Sequence, residues 1–339
     1  MTGNQTETGG QTKIGTVLLT GAGGQLGRAV QRRAATGALA LDPLDRAALD
    51  ITDADAVRAC LAARRPAVVI NAAGYTAVDR AEEAAEAGAV WAVNRDGAAN
   101  LARACAAIGA PLIHLSTDYV FDGTKPGAYD EDDRADPINV YGASKWAGEA
   151  AVRALAPRHL ILRTGWLFGP DGRNFVTTMW RLGATRDRLR VVDDQTGCPT
   201  YADDLARALL SLAQRAGAGR FAAADFGTFH IAGAGVTSRY DFARAIFASA
   251  AAAGGPNPAV EPIASADYPM PAPRPANSAL NTDRLAHRHG LRLRPWPDAL
   301  ADLLQRRPGV DRAGASSGTD GPDAPDGAAR AAAGMRRAP

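Results

Sequence analysis

Short apolar segments alternate with helical patterns along the first half of the chain, and this alternation limits the possible folds more than any other feature. Each apolar segment has the length of a buried strand and is bounded by Gly, Pro, Asp or Asn residues. Strands that are joined through helices by short links form right-handed βαβ units and a parallel sheet. We therefore predict an α/β fold, a Rossmann-type doubly wound parallel sheet with a smaller C-terminal substrate-binding region. The predicted strands are 14–19, 38–42, 67–71, 111–116 and 160–164, and the predicted helices are 24–35, 54–65, 82–108 (as one helix or two) and 140–156.

A glycine-rich run, TGAGGQLG at residues 20–27, connects the first predicted strand to the first predicted helix. A dinucleotide-binding fingerprint requires this context. Gly21 permits a tight turn, Gly24 lets the backbone approach a pyrophosphate, and Gly27 lets the helix pack closely on the strand. The free N–H groups and the dipole at the helix N-terminus favour a phosphate. The run predicts NADPH or NADH as the cofactor, and its position disfavours the alternative of a plain glycine-rich turn.

An acidic residue, Asp42, is predicted to end the second strand, about 20 residues after Gly24. A carboxylate there would bond the adenine ribose and favour NADH, although a solvated loop aspartate is an equal alternative. Arg28 and Arg46 would attract the 2′-phosphate of NADPH, so the choice between the two cofactors stays open.

The third predicted strand ends in the small residues Ala72, Ala73 and Gly74. Small residues at the carboxyl end of a strand allow a flat cofactor to lie against the backbone. We predict that these residues line the cofactor site, with a simple tight turn as the alternative.

Tyr141 and Lys145 lie near the start of the helix predicted at 140–156. Their i, i+4 spacing places the phenol and the ammonium group on the same helix face. A free tyrosine has a pKa near 10, and a nearby ammonium group together with an oxidised nicotinamide ring would lower this pKa. The phenol could then act as a general acid or base. Taken alone, the pair is more typical of an exposed helix face.

Thr117 supplies a hydroxyl that could act together with Tyr141 and Lys145, because it directly follows the fourth predicted strand. Side chains at the carboxyl ends of parallel strands lie beside the cofactor crevice. There Thr117 would bond and polarise a ketone oxygen, and Tyr141 would donate a proton to it. Lys145 would bond the nicotinamide ribose. A hydroxyl, a tyrosine and a lysine beside a nicotinamide predict a ketone reductase.

Composition disfavours several other classes of protein. The formal charge of +2, from 38 basic and 36 acidic residues, does not favour a nucleic-acid or membrane partner. No apolar run is long enough to span a bilayer, and the first residues lack the apolar segment of a signal peptide. Cys60, Cys105 and Cys198 form neither a metal-binding pattern nor a disulfide framework, so we interpret them as small, half-buried residues. We expect a cytoplasmic protein.

The chain divides into four predicted segments. Residues 1–13 are polar, and residues 308–339 are rich in Ala, Gly, Pro and Asp, so neither segment can bury enough apolar surface to become ordered. We predict that both are disordered. The dinucleotide-binding Rossmann domain is predicted at 14–165, with a returning segment near 200–233, and residues 166–307 are predicted to be mainly substrate-binding.

These motifs together resemble those of the extended short-chain dehydrogenase/reductases and, among them, the dTDP-4-dehydrorhamnose reductase family. The resemblance covers residues 15–306 and neither terminal segment. It rests on the runs TGAGGQLG (20–27), INAAGYTAVDRAE (70–82), HLSTDYVFDG (114–123), PINVYGASKWAGE (137–149), LRTGWLFG (162–169), DDQTGCPTYADDLA (193–206), RPANSALNT (274–282) and WPDALADLL (296–304).

The resemblance implies reduction of the C4 ketone of dTDP-4-dehydro-L-rhamnose to dTDP-L-rhamnose by NADPH or NADH. Arg274 is implied to approach the diphosphate, since a guanidinium group bonds two oxygens at once, although a solvated loop arginine is the alternative. Trp166 suits contact with a deoxysugar face, unless it is a core residue. The implied substrate contacts are Thr117, Asp118, Trp166 and Val78. The implied cofactor contacts are Gly24, Gln25, Leu26, Asp42, Asp50, Ile51, Ala73, Gly74, Thr76, Tyr141 and Lys145.

The sequence departs from the family at one place. The resemblance implies a magnesium ion at a subunit contact, held in part by an acidic residue just after the glycine motif, where this chain has Arg28 and Ala29. Asp203 and Asp302 match the other acidic ligands. With one carboxylate missing we assign no metal ligand, and both the ion and a homodimer stay open alternatives.

Two other interpretations stay open. Nucleotide-sugar dehydratases and epimerases share this superfamily, but a dehydratase carries a glutamate where this chain has Tyr119, and that glutamate acts in removing the C5 proton. An epimerase would show no net oxidation of the reduced cofactor. A non-catalytic regulatory subunit, like the reductase-like subunit of methionine adenosyltransferase, is disfavoured because Thr117, Tyr141 and Lys145 are all present.

Overall fold

The computed structural model describes residues 15–37, 39–252 and 254–305. The two terminal segments for which the sequence predicts disorder lie outside the described residues. Within the described part of the chain, no helix is both long enough and apolar enough to cross a membrane.

Six parallel strands form the central sheet of the molecule. In chain order the strands of the described residues are β1 (Val17–Thr20), β2 (Leu41–Leu44), β3 (Val68–Asn71), β4 (Leu112–Thr117), β5 (His159–Thr164), β6 (Leu167–Phe168), β7 (Arg188–Val192), β8 (Thr196–Gly197), β9 (Thr200–Tyr201), β10 (Gly227–His230), β11 (Thr237–Ser238) and β12 (Ala259–Ile263). The order across the sheet is β2–β1–β3–β4–β5–β10. The chain passes from β1 to β2 and returns to the other side of β1 as β3, which opens a crevice at the carboxyl ends of β1 and β3. The predicted doubly wound α/β fold is confirmed.

Local sequence sets several helix ends. The Asp53 carboxylate caps the second helix by accepting the backbone N–H groups of Asp55 and Ala56 at 3.0 and 2.9 Å. Gly109, with φ of +71°, ends the fourth helix in a left-handed conformation. The helices are α1 (Gln25–Ala35), α2 (Ala54–Arg64), α3 (Ala87–Trp91), α4 (Ala98–Ile108), α5 (Val140–Leu155), α6 (Phe175–Gly183), α7 (Ala202–Gly217), α8 (Arg239–Ala252), α9 (Asp283–His289) and α10 (Trp296–Gln305).

Helices cover both faces of the sheet because side chains alternate along each strand. In β1, Val17 and Leu19 pack with apolar residues of α1 and α7 on one face. Leu18 packs with residues of α2, α4 and α5 on the other face. Each face therefore buries a continuous apolar layer, and the sheet edge that carries the strand ends is left to the loops.

A separate apolar cluster lies in the second half of the chain, where α6, β7, α8 and α10 meet. Its centre includes Phe168, Met179 and Phe242, all fully buried. β12 pairs in parallel with β7 over five residues, Ala259–Ile263. β10 lies within the segment near 200–233 that was predicted to return to the Rossmann domain, and it extends the main sheet next to β5.

The bounds of β2 differ from the prediction in a way that bears on the site. β2 spans Leu41–Leu44 rather than 38–42, so Asp42 lies inside the strand and the prediction that it ends the strand is wrong. The alternating apolar residues before Asp42 suggested an earlier start, but pairing with β1 shifts the strand toward the C-terminus. The Asp42 carboxylate accepts a hydrogen bond from Arg64 at 2.6 Å. Asp45 is the first acidic residue after β2.

Candidate active site

The glycine loop lies at the carboxyl end of β1, beside the crevice. Gly21 has φ of +72°, a left-handed conformation that favours glycine. A Cβ at Gly21 would lie 2.5 Å from the backbone nitrogen of Ala73, and one at Gly27 would lie 2.2 Å from the Gly21 carbonyl oxygen. Gly24 precedes α1 without a side-chain cap, so the first N–H groups of α1 can bond a phosphate. The loop thus has the tight turn and the close packing expected of Gly21 and Gly27.

Most of the other predicted cofactor residues lie in the loops or the first helical turn at the same edge of the sheet. Ala72 and Ala73 pack against Gly21, and a Cβ at Gly74 would lie 3.8 Å from Lys145 Nζ. Gln25 and Leu26 lie in the first turn of α1, Asp50 and Ile51 in the loop before α2, and Thr76 in an exposed part of the loop after β3. We call the glycine loop together with these residues the cofactor edge.

Asp45, the first residue after β2, lies beside the glycine loop, whereas Asp42 lies within the strand. The Cβ of Asp45 is 4.0 Å from the place that a Cβ on Gly23 would take. Its carboxylate accepts the backbone N–H of Ala48 at 2.9 Å. Arg46, the next residue, is exposed and forms an ion pair with Asp50 at 3.5 Å. Only the observed end of β2 shows that Asp45 occupies this place.

The start of α5 is fixed by Asn139, whose Oδ1 accepts the backbone N–H of Gly142 at 2.7 Å. Tyr141 is half-buried in this first turn, with its ring edge-on to the ring of Tyr119 at 6.0 Å. Lys145 is only 5% exposed, and its Nζ donates to the carbonyl oxygen of Leu115 at 2.6 Å. Burial lowers the pKa of Lys145 to about 8. The Lys145 ammonium group is therefore mostly charged at neutral pH and loses its proton as pH rises through about 8.

A π-helical turn, Ala92–Gly97, joins α3 to α4 and brings Asn94 under the site. Asn94 Nδ2 donates to Ser144 Oγ at 2.9 Å, and Asn94 Oδ1 accepts the N–H of Tyr75 at 2.9 Å. A Cβ at Gly148 would lie 2.1 Å from the Asn94 carbonyl oxygen, so α5 packs directly on this turn. The sequence analysis missed Asn94. The sequence feature that could have indicated it is an asparagine within an Ala-rich segment that was predicted to be helical.

Thr117 is the last residue of β4, so its hydroxyl lies at the carboxyl end of the strand. Thr117 Oγ1 donates to Asp118 Oδ1 at 2.9 Å and accepts the backbone N–H of Tyr119 at 3.1 Å. Burial raises the pKa of Asp118 to about 6. The Thr117 hydroxyl therefore lies at the strand end as predicted, and it donates a hydrogen bond to the buried Asp118 carboxylate.

Trp166 is held from three sides in a left-handed backbone conformation, with φ of +49°. Its indole N–H donates to Ser278 Oγ at 3.1 Å, and the Arg239 guanidinium lies 3.5 Å from the ring centre. A Cβ at Gly197 would lie 2.4 Å from the ring. A non-glycine residue in this conformation costs free energy, so the surroundings must hold the indole in place.

Next to Trp166 lies a partly open pocket with a mixed basic, aromatic and apolar lining. We call it the substrate pocket. Its wall includes Arg239, which is 8% exposed and stacks on Trp166. Within the described residues, no carboxylate contacts the Arg239 guanidinium at ion-pair distance. The lining residues are Tyr119, Phe175, Arg190, Val191, Val192, Gln195, Arg239, Ile263, Tyr268, Met270 and Arg274.

Arg274 lines this pocket but already has an acidic partner. Its guanidinium lies 3.0 Å from Asp79 and donates to the Ala272 carbonyl oxygen at 2.8 Å. Its side chain is 5% exposed, so the alternative of a solvated loop arginine is wrong. Val78, the residue before Asp79, is partly buried. The predicted substrate contacts of Val78, Trp166 and Arg274 therefore lie around one region.

Below the strand ends, a buried ion pair connects α5 with β4 and β5. Glu149 accepts Ser116 Oγ at 2.5 Å and the guanidinium of Arg163 at 2.9 Å, and both charged residues are buried. Burial alone would raise the pKa of Glu149, but hydrogen bonds from Arg163 and its other partners lower it below its ordinary value. This pair fixes α5, which carries Tyr141 and Lys145, against the two strands.

The acidic residues that match the family's magnesium ligands pair with arginines instead. Asp203 accepts a hydrogen bond from Arg32 at 2.8 Å and lies 3.3 Å from Arg33. Asp302 accepts one from Arg294 at 2.6 Å. Since a guanidinium group already faces each carboxylate, the residues present do not fit a magnesium ion.

Comparisons with known proteins agree with this geometry. The sequence model of the RmlD substrate binding domain matches residues 15–308. The chain is 43% identical over 289 residues to a dTDP-4-dehydrorhamnose reductase of Sinorhizobium fredii, covering 85% of this chain and 96% of that relative.

Solved structures are similar over the same part of the chain. A dTDP-4-dehydrorhamnose reductase of Clostridium acetobutylicum is 40% identical with a TM-score of 0.79, covering 86% of this chain and 98% of that one. One of Bacillus anthracis in complex with NADP is 36% identical with a TM-score of 0.80, covering 87% and 100%. Because sequence and structure agree over nearly all of the described residues, this chain belongs to the dTDP-4-dehydrorhamnose reductase family.

Proposed function

We propose that this protein reduces the C4 ketone of dTDP-4-dehydro-L-rhamnose to dTDP-L-rhamnose with NADPH or NADH. The observation that supports the proposal is the packing of α5 on β4: Lys145 bonds the Leu115 carbonyl of the strand that ends in Thr117. Tyr141, one turn earlier on α5, lies beside Tyr119 of the pocket wall. The family relationship supports the same reaction, since the relatives compared above are dTDP-4-dehydrorhamnose reductases.

Each of the three residues has a separate part in the reaction. A bound nicotinamide supplies the hydride that reduces the ketone carbon. Tyr141 donates a proton to the ketone oxygen, and Thr117 hydrogen-bonds that oxygen as negative charge develops on it. Lys145 is charged below its pKa of about 8, and its ammonium group favours loss of the tyrosine proton. The ammonium also orients the nicotinamide ribose.

The substrate pocket has the chemistry that a nucleotide sugar needs. Arg190 and Arg239 supply positive charge for the diphosphate, and Arg274 adds a guanidinium that Asp79 holds in place. Aromatic rings suit the nucleotide base, and Trp166 and Val78 suit the sugar. Asp118 completes the predicted substrate contacts through Thr117.

The cofactor edge is proposed to accept either nicotinamide cofactor. Its residues are Gly21, Gly24, Gln25, Leu26, Gly27, Asp50, Ile51, Ala72, Ala73, Gly74 and Thr76. Asp42 of β2 is a further proposed cofactor contact. Arg46 beside Asp50 offers a cation for a 2′-phosphate, while Asp42 or Asp45 offers a carboxylate for a ribose hydroxyl. We place the reaction in the cytoplasm and involve no metal ion, nucleic acid or membrane.

The direct test mixes the purified protein with NADPH and enzymatically generated dTDP-4-dehydrorhamnose and follows the absorbance of the reduced cofactor. We expect substrate-dependent oxidation, and NMR of the product should identify dTDP-L-rhamnose. Absence of oxidation with both cofactors would reject the reductase proposal in favour of a regulatory subunit. Oxidation with a different product would keep the reaction class and correct the sugar.

A further inference from the structure

The hydroxyl of Thr117 has a single proton, and in this structure it is directed at a neighbouring carboxylate. Thr117 Oγ1 donates to Asp118 Oδ1 at 2.9 Å and accepts the backbone N–H of Tyr119 at 3.1 Å. An ionised carboxylate only accepts hydrogen bonds. While Asp118 is ionised and holds this proton, Thr117 has no proton left for a ketone oxygen.

Among the described residues, no cation contacts the buried Asp118 carboxylate at ion-pair distance. It is 2% exposed, and its Oδ2 has no hydrogen-bond partner among the described residues. This oxygen packs against the backbone at Gly165, where a Cβ would come within 2.3 Å of it. Since Oδ2 is closed off by its neighbours in this structure, the contact through which Asp118 can influence the site is the one from Oδ1 to Thr117.

The charged and titratable groups that face Asp118 are few. Burial raises the pKa of Asp118 to about 6, although Ser278, Thr117 and the positive charge of Arg239 on α8 partly oppose the rise. Ser278 lies near enough to stabilise the charged form without a well-formed hydrogen bond to Oδ2. Cys198 stays neutral, because burial raises the pKa of its thiol to about 11. Both forms of Asp118 are therefore accessible near neutral pH.

We propose that Asp118 is a positioning residue that directs the proton of Thr117. When Asp118 is protonated, it donates to Thr117 Oγ1, and the hydroxyl proton of Thr117 bonds the ketone oxygen. When Asp118 is ionised, it accepts that proton and withholds the hydrogen bond. Tyr141 still supplies the transferred proton, so no atom passes between Asp118 and the substrate. This assignment rests on the proposed reductase function, because it places the ketone oxygen at Thr117.

Asp118→Asn separates the two forms, since an asparagine amide donates to Thr117 Oγ1 at every pH. For the wild type, kcat/KM should fall about tenfold as pH rises through about 6, the effect of one hydrogen bond to the reacting oxygen. Asp118→Asn should lack this step and keep its low-pH rate. Asp122→Asn is the matched control: hydrogen bonds from Thr124 and Tyr129 lower the pKa of Asp122 to about 2, so the step near pH 6 should remain.

Variants of Thr117 test the same link from the other side. Thr117→Val should remove the step, and adding Asp118→Asn to it should change nothing further. Thr117→Ser keeps the hydroxyl and should keep the step. A step that survives in Asp118→Asn would overturn the inference. So would an Asp118→Asn variant as slow as Thr117→Val at every pH, or one that raises only KM, which would indicate direct sugar contact.

A stability measurement distinguishes failure of this inference from failure of the reductase proposal. Because burial raises the pKa of Asp118, its contribution to stability is present below the unfolded pKa and is lost as pH rises to about 6. The melting temperature of Asp118→Asn should therefore exceed that of the wild type by a difference that grows from about pH 4 to about pH 6 and then stays constant. Thr117→Val removes a hydrogen bond that lowers the pKa of Asp118, so this pKa should rise further. The difference in melting temperature should then keep growing to a higher pH. A difference that is independent of pH, or unmoved by Thr117→Val, would overturn the link even if no turnover is found.

Discussion

The cofactor edge and the substrate pocket are built in different ways. Within the glycine loop of the cofactor edge, close contacts join backbone atoms of residues near in sequence, as where Gly27 meets Gly21. In the substrate pocket, side chains of Tyr119, Phe175 and Arg239 come from distant segments and meet only in the folded chain. The difference teaches that a short motif can specify a phosphate-binding loop, whereas a pocket for a sugar nucleotide depends on how separate elements pack.

The largest effect should occur where these two regions meet. Tyr141→Phe removes the proton donor and should lower kcat by about 10²–10⁴-fold. Cofactor affinity should change little, because the cofactor edge keeps its backbone contacts. Steady-state turnover and a fluorescence titration with NADPH measure the two quantities. Tyr240→Phe on α8 is the matched control, because Tyr240 packs on the apolar cluster and does not line the substrate pocket. Near-normal turnover of Tyr141→Phe would contradict the assigned role.

At the cofactor edge alone, Gly21→Ala should destabilise the fold by about 2 kcal/mol or more. A Cβ there meets the Ala73 backbone at 2.5 Å and requires alanine at φ of +72°. Gly23→Ala is the control, since its Cβ would have no neighbour nearer than 4.0 Å. Urea unfolding and the Kd for NADPH should both separate the two variants. Equal values would show that the turn is less constrained than its geometry indicates.

In the substrate pocket alone, Arg239→Met should raise KM for the nucleotide sugar about tenfold, the loss of one charge-assisted bond to the diphosphate. The Kd for the cofactor should be unchanged. Arg244→Met, also on α8 but exposed and paired with Asp241, should leave both values as in the wild type. A change in cofactor affinity for Arg239→Met would mean that the two regions are not energetically separate.

The smallest effect is the response to alkaline pH. Burial lowers the pKa of Lys145 to about 8, so its positive charge is lost as pH rises through that value. kcat should decline severalfold there, whereas Lys145→Arg, which keeps its charge, should not show the same decline. A wild-type kcat that rises through pH 8 would contradict a role for the ammonium group.

The local signals were read correctly where one segment determines the outcome. α2 begins at Ala54 and α4 ends at Ile108, as predicted, and Tyr141 and Lys145 lie on α5. The start of β2 was misread, because an edge strand takes its register from its neighbour and not from its own apolar pattern. That error placed Asp42 at the end of the strand. In the structure the strand ends at Leu44, and Asp45 follows it beside the glycine loop.

Residues that act through distant partners could not be found from their own neighbourhoods. Asn94 supports the site by bonding Ser144, which lies 50 residues later in the chain. Arg239 is positioned by stacking on Trp166. Arg274 is held by Asp79, almost 200 residues earlier in the chain, which no spacing rule connects. These contacts form only after helices and loops from both halves have packed together.

The sequence by itself determined the parallel sheet, the glycine loop and the place of Tyr141 and Lys145 on one helix. Strand alternation, backbone freedom at glycine and the i, i+4 spacing of a helix are short-range properties, so they are written into consecutive residues. Tertiary structure alone decided the charge states of Asp118 and Lys145 and the direction of the Thr117 proton. The physical reason is that a pKa depends on burial and on charges brought near by folding, and neither is a property of the local sequence.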